Sequence, residues 1–90
     1  MNIFLLDGKD MTNSETAYSI IEDTLGFPEW FGHNLDALYD CLCDLDAEDT
    51  AIVFVNTDAL SGNIGQYAGK MLSCFRDVAD EFGFTWIEKA

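Results

Sequence analysis

Three short apolar runs constrain the fold of this chain more than any other feature. They span residues 3–6, 50–55 and 84–87, and each has the length and composition of a β-strand. The segments between them are far longer than a hairpin turn, so consecutive strands must run parallel and be joined by right-handed crossovers. The sequence therefore predicts an α/β fold with a three-stranded parallel sheet.

The first two runs differ in the environment that they predict. Residues 3–6 are continuously apolar and end at Asp7-Gly8, which indicates a buried strand closed by a turn. Residues 50–55 are β-branched and apolar without alternation. This pattern predicts a central strand that is covered on both faces.

Periodic apolar spacing and capping signals predict about four helices between the strands. Thr12 and Glu15 fit a capping box at the start of the first helix, which Gly26 ends. A short helix is predicted at residues 58–61, and a long final helix at residues 68–82. All the helices lie within the crossovers, as the parallel sheet requires.

The second helix begins at Asn34, which is a favourable N-cap residue. Its apolar stripe consists of Leu35, Leu38, Leu42 and Leu45. Asp36, Asp40 and Asp44 recur at every fourth position, so they are predicted to stack along the other side of the helix. Like charges at this spacing repel by a few tenths of a kcal/mol per pair. An acidic stripe of this kind is therefore a candidate functional feature.

Two further segments extend this candidate surface. Trp30 and Phe31 form an aromatic pair in a loop flanked by proline and glycine, immediately before the second helix. On the last helix, Asp77 and Glu81 are four residues apart and share a face. If that face lies beside Asp36 and Asp40, the acidic surface is continuous; the alternative is ordinary solubilising charge.

The charge of the chain limits the partners that it can bind. Its 17 acidic and 4 basic residues give a formal net charge of −13. Nucleic acid and anionic lipid would be repelled, whereas a basic protein would be attracted over a long range. Solubility or salt adaptation is an alternative explanation for the same charge. We expect no direct binding to nucleic acid or to a membrane.

The sequence carries no convincing catalytic constellation, cofactor motif or metal motif. His33 could act as a general base, although a surface histidine explains it as well. Asp36 and Asp40 could form a hydrolase dyad, but an exposed acidic stripe accounts for them better. The acidic loop at residues 46–49 lacks the spacing of a calcium loop. We therefore predict that the protein is not an enzyme and has no cofactor.

The N-terminal sequence, the apolar stretches and the cysteines predict where the protein is located. The N-terminus has no basic region followed by a long apolar run, and no apolar stretch is long enough to span a bilayer. The three cysteines do not form a disulfide framework. Cys41 and Cys43 point in different directions on a helix and cannot clamp one metal ion. These features predict free thiols in the reducing cytoplasm.

Residues 28–42, which read PEWFGHNLDALYDCL, resemble the signature of the barstar family of intracellular ribonuclease inhibitors. The order of the predicted elements and the Phe75-Arg76-Asp77 segment also agree, so the resemblance covers the whole chain as a single domain, 1–90. It implies a barstar-like fold, in which a three-stranded parallel sheet is packed with about four helices. It also implies a basic, extracellular-type, barnase-like ribonuclease as the partner.

The resemblance assigns roles to the residues of the candidate surface. Asp40 would enter the catalytic pocket of the nuclease in place of a substrate phosphate, and Asp36 would pair with another basic group. Trp30 and Asn34 occupy positions that contact the nuclease in the family. Asp77 and Glu81 match acidic positions of the last helix on the same surface.

The sequence departs from the family pattern beside these positions. Tyr39 stands where the family usually has tryptophan, and Trp30 is larger than the tyrosine common at its site. Asp44 and Leu45 replace a glycine and a tryptophan of the best-known member. We include Tyr39 and Asp44 among the predicted contact residues. The departures leave open a barstar-fold immunity or regulatory protein that acts on a different toxin nuclease or basic partner. In either case we expect a monomer when the protein is free.

Overall fold

The computed structural model describes residues 1–90 and contains one sheet of three parallel strands. The strands are β1 (Asn2–Asp7), β2 (Thr50–Val55) and β3 (Thr85–Glu88), in the spatial order β1-β2-β3. In this register Leu5 lies beside Val53, and Val53 beside Ile87. The predicted α/β class, the parallel sheet and the central position of β2 are confirmed.

Four α-helices connect the strands. They are α1 (Ser14–Leu25), α2 (Leu35–Cys43), α3 (Thr57–Ile64) and α4 (Tyr67–Phe82). Short 3₁₀ turns follow β1 at Gly8–Asp10 and precede β2 at Ala47–Asp49. The first crossover contains α1 and α2, and the second contains α3 and α4. No helix has the length and apolar character needed to cross a membrane.

One face of the sheet is open, which corrects two predictions. Leu6, Ile52 and Phe54 are fully buried beneath the helices. On the opposite face Ile3 and Leu5 are 70% and 63% exposed. The prediction of a buried first strand was therefore wrong for Ile3 and Leu5, which lie on the open face. The prediction that β2 is covered on both faces is correct only in part, since Ala51 is buried on the open face but Val53 and Val55 are half-buried.

The strand order explains the open face. Right-handed crossovers that always step in the same direction place their helices on the same side of a sheet. The order β1-β2-β3 contains two such steps and no reversal. Parallel strands usually read as continuous apolar runs because both of their faces are covered. Here the runs are continuous, but the chain has no crossover in the reverse direction, which would place a helix on the second face.

Two helix ends differ from the predictions. The N-cap of α1 is Asn13, whose side chain accepts a hydrogen bond from the Thr16 N–H at 2.8 Å. The predicted capping box at Thr12 is therefore wrong by one residue. The helix α2 ends at Cys43 with Asp44 as its C-cap, so Leu45 lies beyond the helix, although it packs on the core.

The long helix α4 holds the sheet and α2 together. Met71, Phe75 and Val78 on its inner side are fully buried, and Gly83, with φ of 90°, ends it in the left-handed conformation. Phe75 stacks on Trp86 of β3 with a ring separation of 5.0 Å. Phe82 belongs to the predicted apolar stripe but is 47% exposed, because it occupies the last turn of the helix.

An ion pair also fixes α4 to β3. It makes the stability of the protein depend on pH in the acidic range. Arg76 donates hydrogen bonds of 2.6 and 2.5 Å to the Glu88 carboxylate. Together with the Trp86 indole N–H, this pairing lowers the pKa of Glu88 from 4.5 to about 2. A lowered folded-state pKa adds stability above the unfolded pKa, and this contribution is lost as pH falls from 4.5 towards 2.

We therefore expect Glu88→Gln to flatten the acid limb of the stability curve. Urea unfolding of wild type and variant between pH 2 and 6 measures this directly, since the wild type alone should lose the Glu88 contribution on acidification. Glu48→Gln is the matched control, because Glu48 is exposed and forms no ion pair. Parallel curves for wild type and Glu88→Gln would show that the pair contributes nothing.

Candidate functional site

The start of α2 presents its acidic side chains outward on a capped, rigid element. The Asn34 side-chain oxygen accepts a hydrogen bond from the Ala37 N–H at 2.8 Å, which confirms Asn34 as the N-cap. Leu38 is fully buried, whereas Asp36 and Asp40 are exposed. Burial of one side of the helix thus fixes the orientation of the two carboxylates on the other side.

The loop before α2 contains two aromatic residues that face opposite ways. Trp30 is 74% exposed, whereas Phe31 is 5% exposed. The Phe31 ring packs edge-on against Phe27 at 5.1 Å and against Tyr18 at 5.9 Å. The loop is therefore anchored by one aromatic side chain and offers the other to solvent.

Gly32 lies close to the Asn34 cap. A Cβ atom at this position would approach the side-chain nitrogen of Asn34 to 3.2 Å and the Ala37 Cβ to 3.9 Å. The absence of a side chain therefore allows the loop to pass close to the first turn of α2. We call residues 27–33 the Trp30 loop from here on.

An open groove runs between α2 and α4 beside the acidic side chains. Its volume is about 720 Å³, and Asp36 and Tyr39 from α2 and Asp77 from α4 line it. Lys70 and Arg76 also line the groove, and neither was predicted from the sequence to belong to this surface. The groove brings together three of the predicted site residues from two helices.

Tyr39 connects the two helices across this groove. Its hydroxyl donates a hydrogen bond of 2.8 Å to the Glu81 carboxylate. This bond is the main reason that the pKa of Tyr39 rises to about 12, because the neutral phenol is the form that can donate. Tyr39 and Glu81 are thus engaged with each other while both stay accessible at the surface.

Asp40 and Asp44 lie along α2 beyond the groove. Asp44 lines a separate hollow of about 140 Å³ at the far end of the helix, together with Pro28 and Leu45. As the C-cap it follows the last helical residue and does not continue the stripe on the helix itself. The first two residues of the Trp30 loop, Phe27 and Pro28, line this hollow beside Asp44.

The acidic side chains of this region have no basic partners within the chain. The exposed carboxylates are Asp36, Asp40 and Asp44 at α2, and Asp77, Asp80 and Glu81 on α4. The ion pairs of the chain are Met1–Asp49, His33 with Glu15 and Glu22, and Arg76–Glu88. None of the six carboxylates takes part in them. These six carboxylates outnumber Lys70 and Arg76, the two cationic side chains that line the groove, so the region carries net negative charge over two adjacent helices.

His33 has a position that the sequence analysis did not foresee. Both of its ring nitrogens are hydrogen-bonded, one to Glu15 and the other to Glu22. A histidine with both nitrogens engaged has no free lone pair for a general base, so the catalytic alternative gains no support. Glu15 and Glu22 are seven residues apart and therefore share a face of α1. No local sequence pattern predicts that the loop before α2 folds back onto this face of α1.

The fold and this surface together define an α/β protein with an exposed acidic helix, an aromatic loop and no enclosed ligand pocket. The sequence matches the Barstar family, described as barnase inhibitor, over residues 1–88. The chain belongs to this family. It is also similar to the Bacillus subtilis (strain 168) protein named "Putative ribonuclease inhibitor YrdF", with 32% identity over 81 residues that cover 90% of this chain and 89% of that protein.

Proposed function

We propose that this protein inhibits a barnase-like ribonuclease by covering the nuclease active site with α2, the Trp30 loop and the C-terminal half of α4. Six exposed carboxylates without an ion-pair partner within the chain are the observation that carries this proposal. A net negative surface on rigid helices is suited to a positively charged, concave partner.

The chemistry of RNA cleavage explains why such a surface inhibits. A ribonuclease must hold a phosphodiester and stabilise the charge that develops on it, so its pocket contains cationic side chains. The Asp40 carboxylate would occupy this pocket in place of the phosphate, and Asp36 would pair with a second basic group. A carboxylate on a helix offers the nuclease no bond to cleave, so the complex persists without turnover.

The remaining surface residues surround this central contact. Trp30 would cover apolar surface of the nuclease from the loop, and Asn34 would contact it at the start of α2. Tyr39 and Glu81 would form part of the same interface, as would Asp77 and Asp44 at its edges. Interfaces of this kind concentrate their energy in a few central residues with near-neutral contacts around them.

The biological setting follows from this role. We propose a monomer in the cytoplasm that protects the producing cell from its own nuclease and is not itself an enzyme. The net charge of −13 would accelerate association with a basic nuclease. No cofactor or metal is needed, because inhibition depends on occupancy of the active site alone.

Inhibition of a barnase-type ribonuclease tests the proposal. Titration of the nuclease with the purified protein should abolish RNA cleavage at one molar equivalent. The association rate should fall by about tenfold or more when salt is raised from 0.02 to 0.5 M, because ions screen the attraction. An unrelated acidic protein of similar net charge serves as the control. Full nuclease activity at a large excess of the protein would contradict the proposal.

The substitutions in the surface favour a second candidate function. Tyr39, which stands where the family usually has tryptophan, is hydrogen-bonded to Glu81. Trp30, Asp44 and Leu45 also depart from the family pattern. These features would adapt the same surface to a different toxin nuclease or basic protein. Tight binding to such a partner, with no inhibition of barnase-type enzymes, would support this alternative over the first.

A further inference from the structure

The surroundings of His33 require a doubly protonated imidazole. Its Nδ1 is hydrogen-bonded to Glu15 Oε1, and its Nε2 lies 3.0 Å from Glu22 Oε1. Ionised carboxylates can only accept hydrogen bonds, so both ring nitrogens must donate. Only the imidazolium ion carries a proton on each nitrogen. While both carboxylates are ionised, this geometry therefore assigns a positive charge to His33.

Aromatic rings enclose the same imidazole. The Tyr18 ring stacks on it at 5.9 Å with an interplanar angle of 22°, and the Phe31 ring lies 5.4 Å away. The Tyr18 hydroxyl is in turn hydrogen-bonded to Tyr67 of α4 at 2.5 Å. Aromatic faces attract a cation, and they also limit access of water. The His33 side chain is 22% exposed, which fits a loop side chain that is docked on the protein.

Glu22 holds both ends of the Trp30 loop. Its backbone carbonyl accepts a hydrogen bond of 3.0 Å from the Phe27 N–H, where the loop begins. Its side chain binds His33, where the loop ends. Phe31 is buried between these two points, but the exposed Trp30 makes no comparable contact. The Phe31 N–H also donates a hydrogen bond of 2.9 Å to the Pro28 carbonyl, so the turn that carries Trp30 is placed by the contacts at the two ends of the loop and by the buried Phe31.

We propose that the His33 imidazolium is a positioning residue that holds the Trp30 loop on α1, and that loss of its proton releases the loop and weakens partner binding. The effect on binding rests on the proposed function; the effect on the loop does not. When the proton leaves to solvent, one ring nitrogen becomes an acceptor that faces a carboxylate. One hydrogen bond is then replaced by repulsion, and the cation–π attraction is lost as well.

The direction of the pH dependence follows from the neighbouring groups. The titratable groups that face His33 or its partners are Glu15, Glu22 and Tyr18 of α1, Tyr67 of α4 and Cys41 of α2. The hydrogen bonds to Glu22 and Glu15 raise the pKa of His33 above 6.5, while burial raises the pKa of Tyr18 and Cys41. The contribution of His33 is therefore complete below pH 6.5 and is lost as pH rises through its raised pKa.

The free protein provides the first test. His33 is the one histidine of the chain, so its imidazole NMR signals are assigned without variants. We expect it to titrate above 6.5, and the pKa to move down in Glu22→Gln. The ¹⁵N order parameters of residues 29–33 should fall as pH rises through this pKa. His33→Gln should show the lower values at every pH, and His33→Arg, which keeps a charge between the two carboxylates, should keep the higher values.

The second test uses a barnase-type ribonuclease. At a pH above the His33 pKa, wild type should bind about twofold to tenfold more weakly than His33→Arg, the range expected for ordering one rotamer-rich side chain. Comparison at the same pH cancels the titration of the nuclease itself. Order parameters that do not change as His33 loses its proton would overturn this proposal, whether or not the nuclease binds. If the order parameters fall as His33 loses its proton but the protein does not bind the nuclease, the proposed function alone would be contradicted.

Discussion

Replacement of Asp40 by alanine should weaken binding to a barnase-type ribonuclease by about 2–5 kcal/mol, a range that comes from known interfaces, including that of barnase with its inhibitor. The loss arises because cationic groups of the nuclease pocket would be buried without their partner. The free energy of unfolding of the free protein should change by no more than about 0.5 kcal/mol, since Asp40 is exposed and forms no ion pair.

Isothermal titration calorimetry and urea unfolding measure these two quantities for Asp40→Ala. Asp10→Ala is the matched control, because it removes the same charge from an exposed site in the Gly8–Asp10 turn, which packs against α3. The control separates the local contact from the general effect of net charge. An equal loss of affinity in both variants would assign the binding energy to net charge and contradict a specific role for Asp40.

The neighbouring residues Trp30 and Phe31 should respond to alanine substitution in opposite ways. Phe31→Ala should destabilise the protein by about 3–5 kcal/mol, because it removes a buried ring and leaves a cavity. Trp30→Ala should leave stability within about 0.5 kcal/mol of wild type, since its ring is 74% exposed. At the interface Trp30→Ala should cost about 2 kcal/mol or more, because tryptophan is enriched among the few residues that dominate the binding energy of an interface.

Thermal unfolding and nuclease affinity, measured on the same preparations, distinguish the two residues. Trp30→Phe serves as the conservative variant and should recover part of the affinity, because it restores an aromatic surface of smaller area. A Trp30→Ala protein that binds as tightly as wild type would remove the loop from the proposed interface. A stable Phe31→Ala protein would show that the loop is not anchored by its buried ring.

The sequence was sufficient to predict the elements that position the site. Asn34 followed by an apolar stripe predicted the start of α2 correctly, because side-chain capping and helical periodicity are local properties. The predicted end of the final helix at residue 82 is confirmed as well, because Gly83 caps α4 there. The long apolar runs and the long connections between them predicted the parallel sheet. The match to the Barstar family agrees with the resemblance seen in residues 28–42.

Features that depend on distant contacts were not predictable in this way. The open face with Ile3 and Leu5 results from strand order, and an apolar run does not contain that information. Asp44 follows the spacing of Asp36 and Asp40, but the chain leaves the helix at Cys43. The engagement of His33 by α1 requires the loop to fold back over 18 residues. Each of these results from tertiary structure overriding a local pattern.

The open sheet face is a second candidate binding surface on the same molecule. Ile3, Leu5 and Ile87 form an apolar surface on the side of the sheet that carries no helices. A partner protein could in principle bind there and leave the acidic surface free. The location of nuclease binding therefore has to be measured, since the affinity does not reveal it.

The most direct measurement is NMR mapping of the ¹⁵N-labelled protein during titration with an unlabelled, catalytically inactive barnase-type ribonuclease. Our account predicts the largest amide shift changes in the Trp30 loop, at Asn34, Asp36 and Asp40, and around Asp77 and Glu81. The amides of β1 and β3 on the open face should keep their shifts. Changes confined to β1 and β3, with the acidic surface unaffected, would contradict the account.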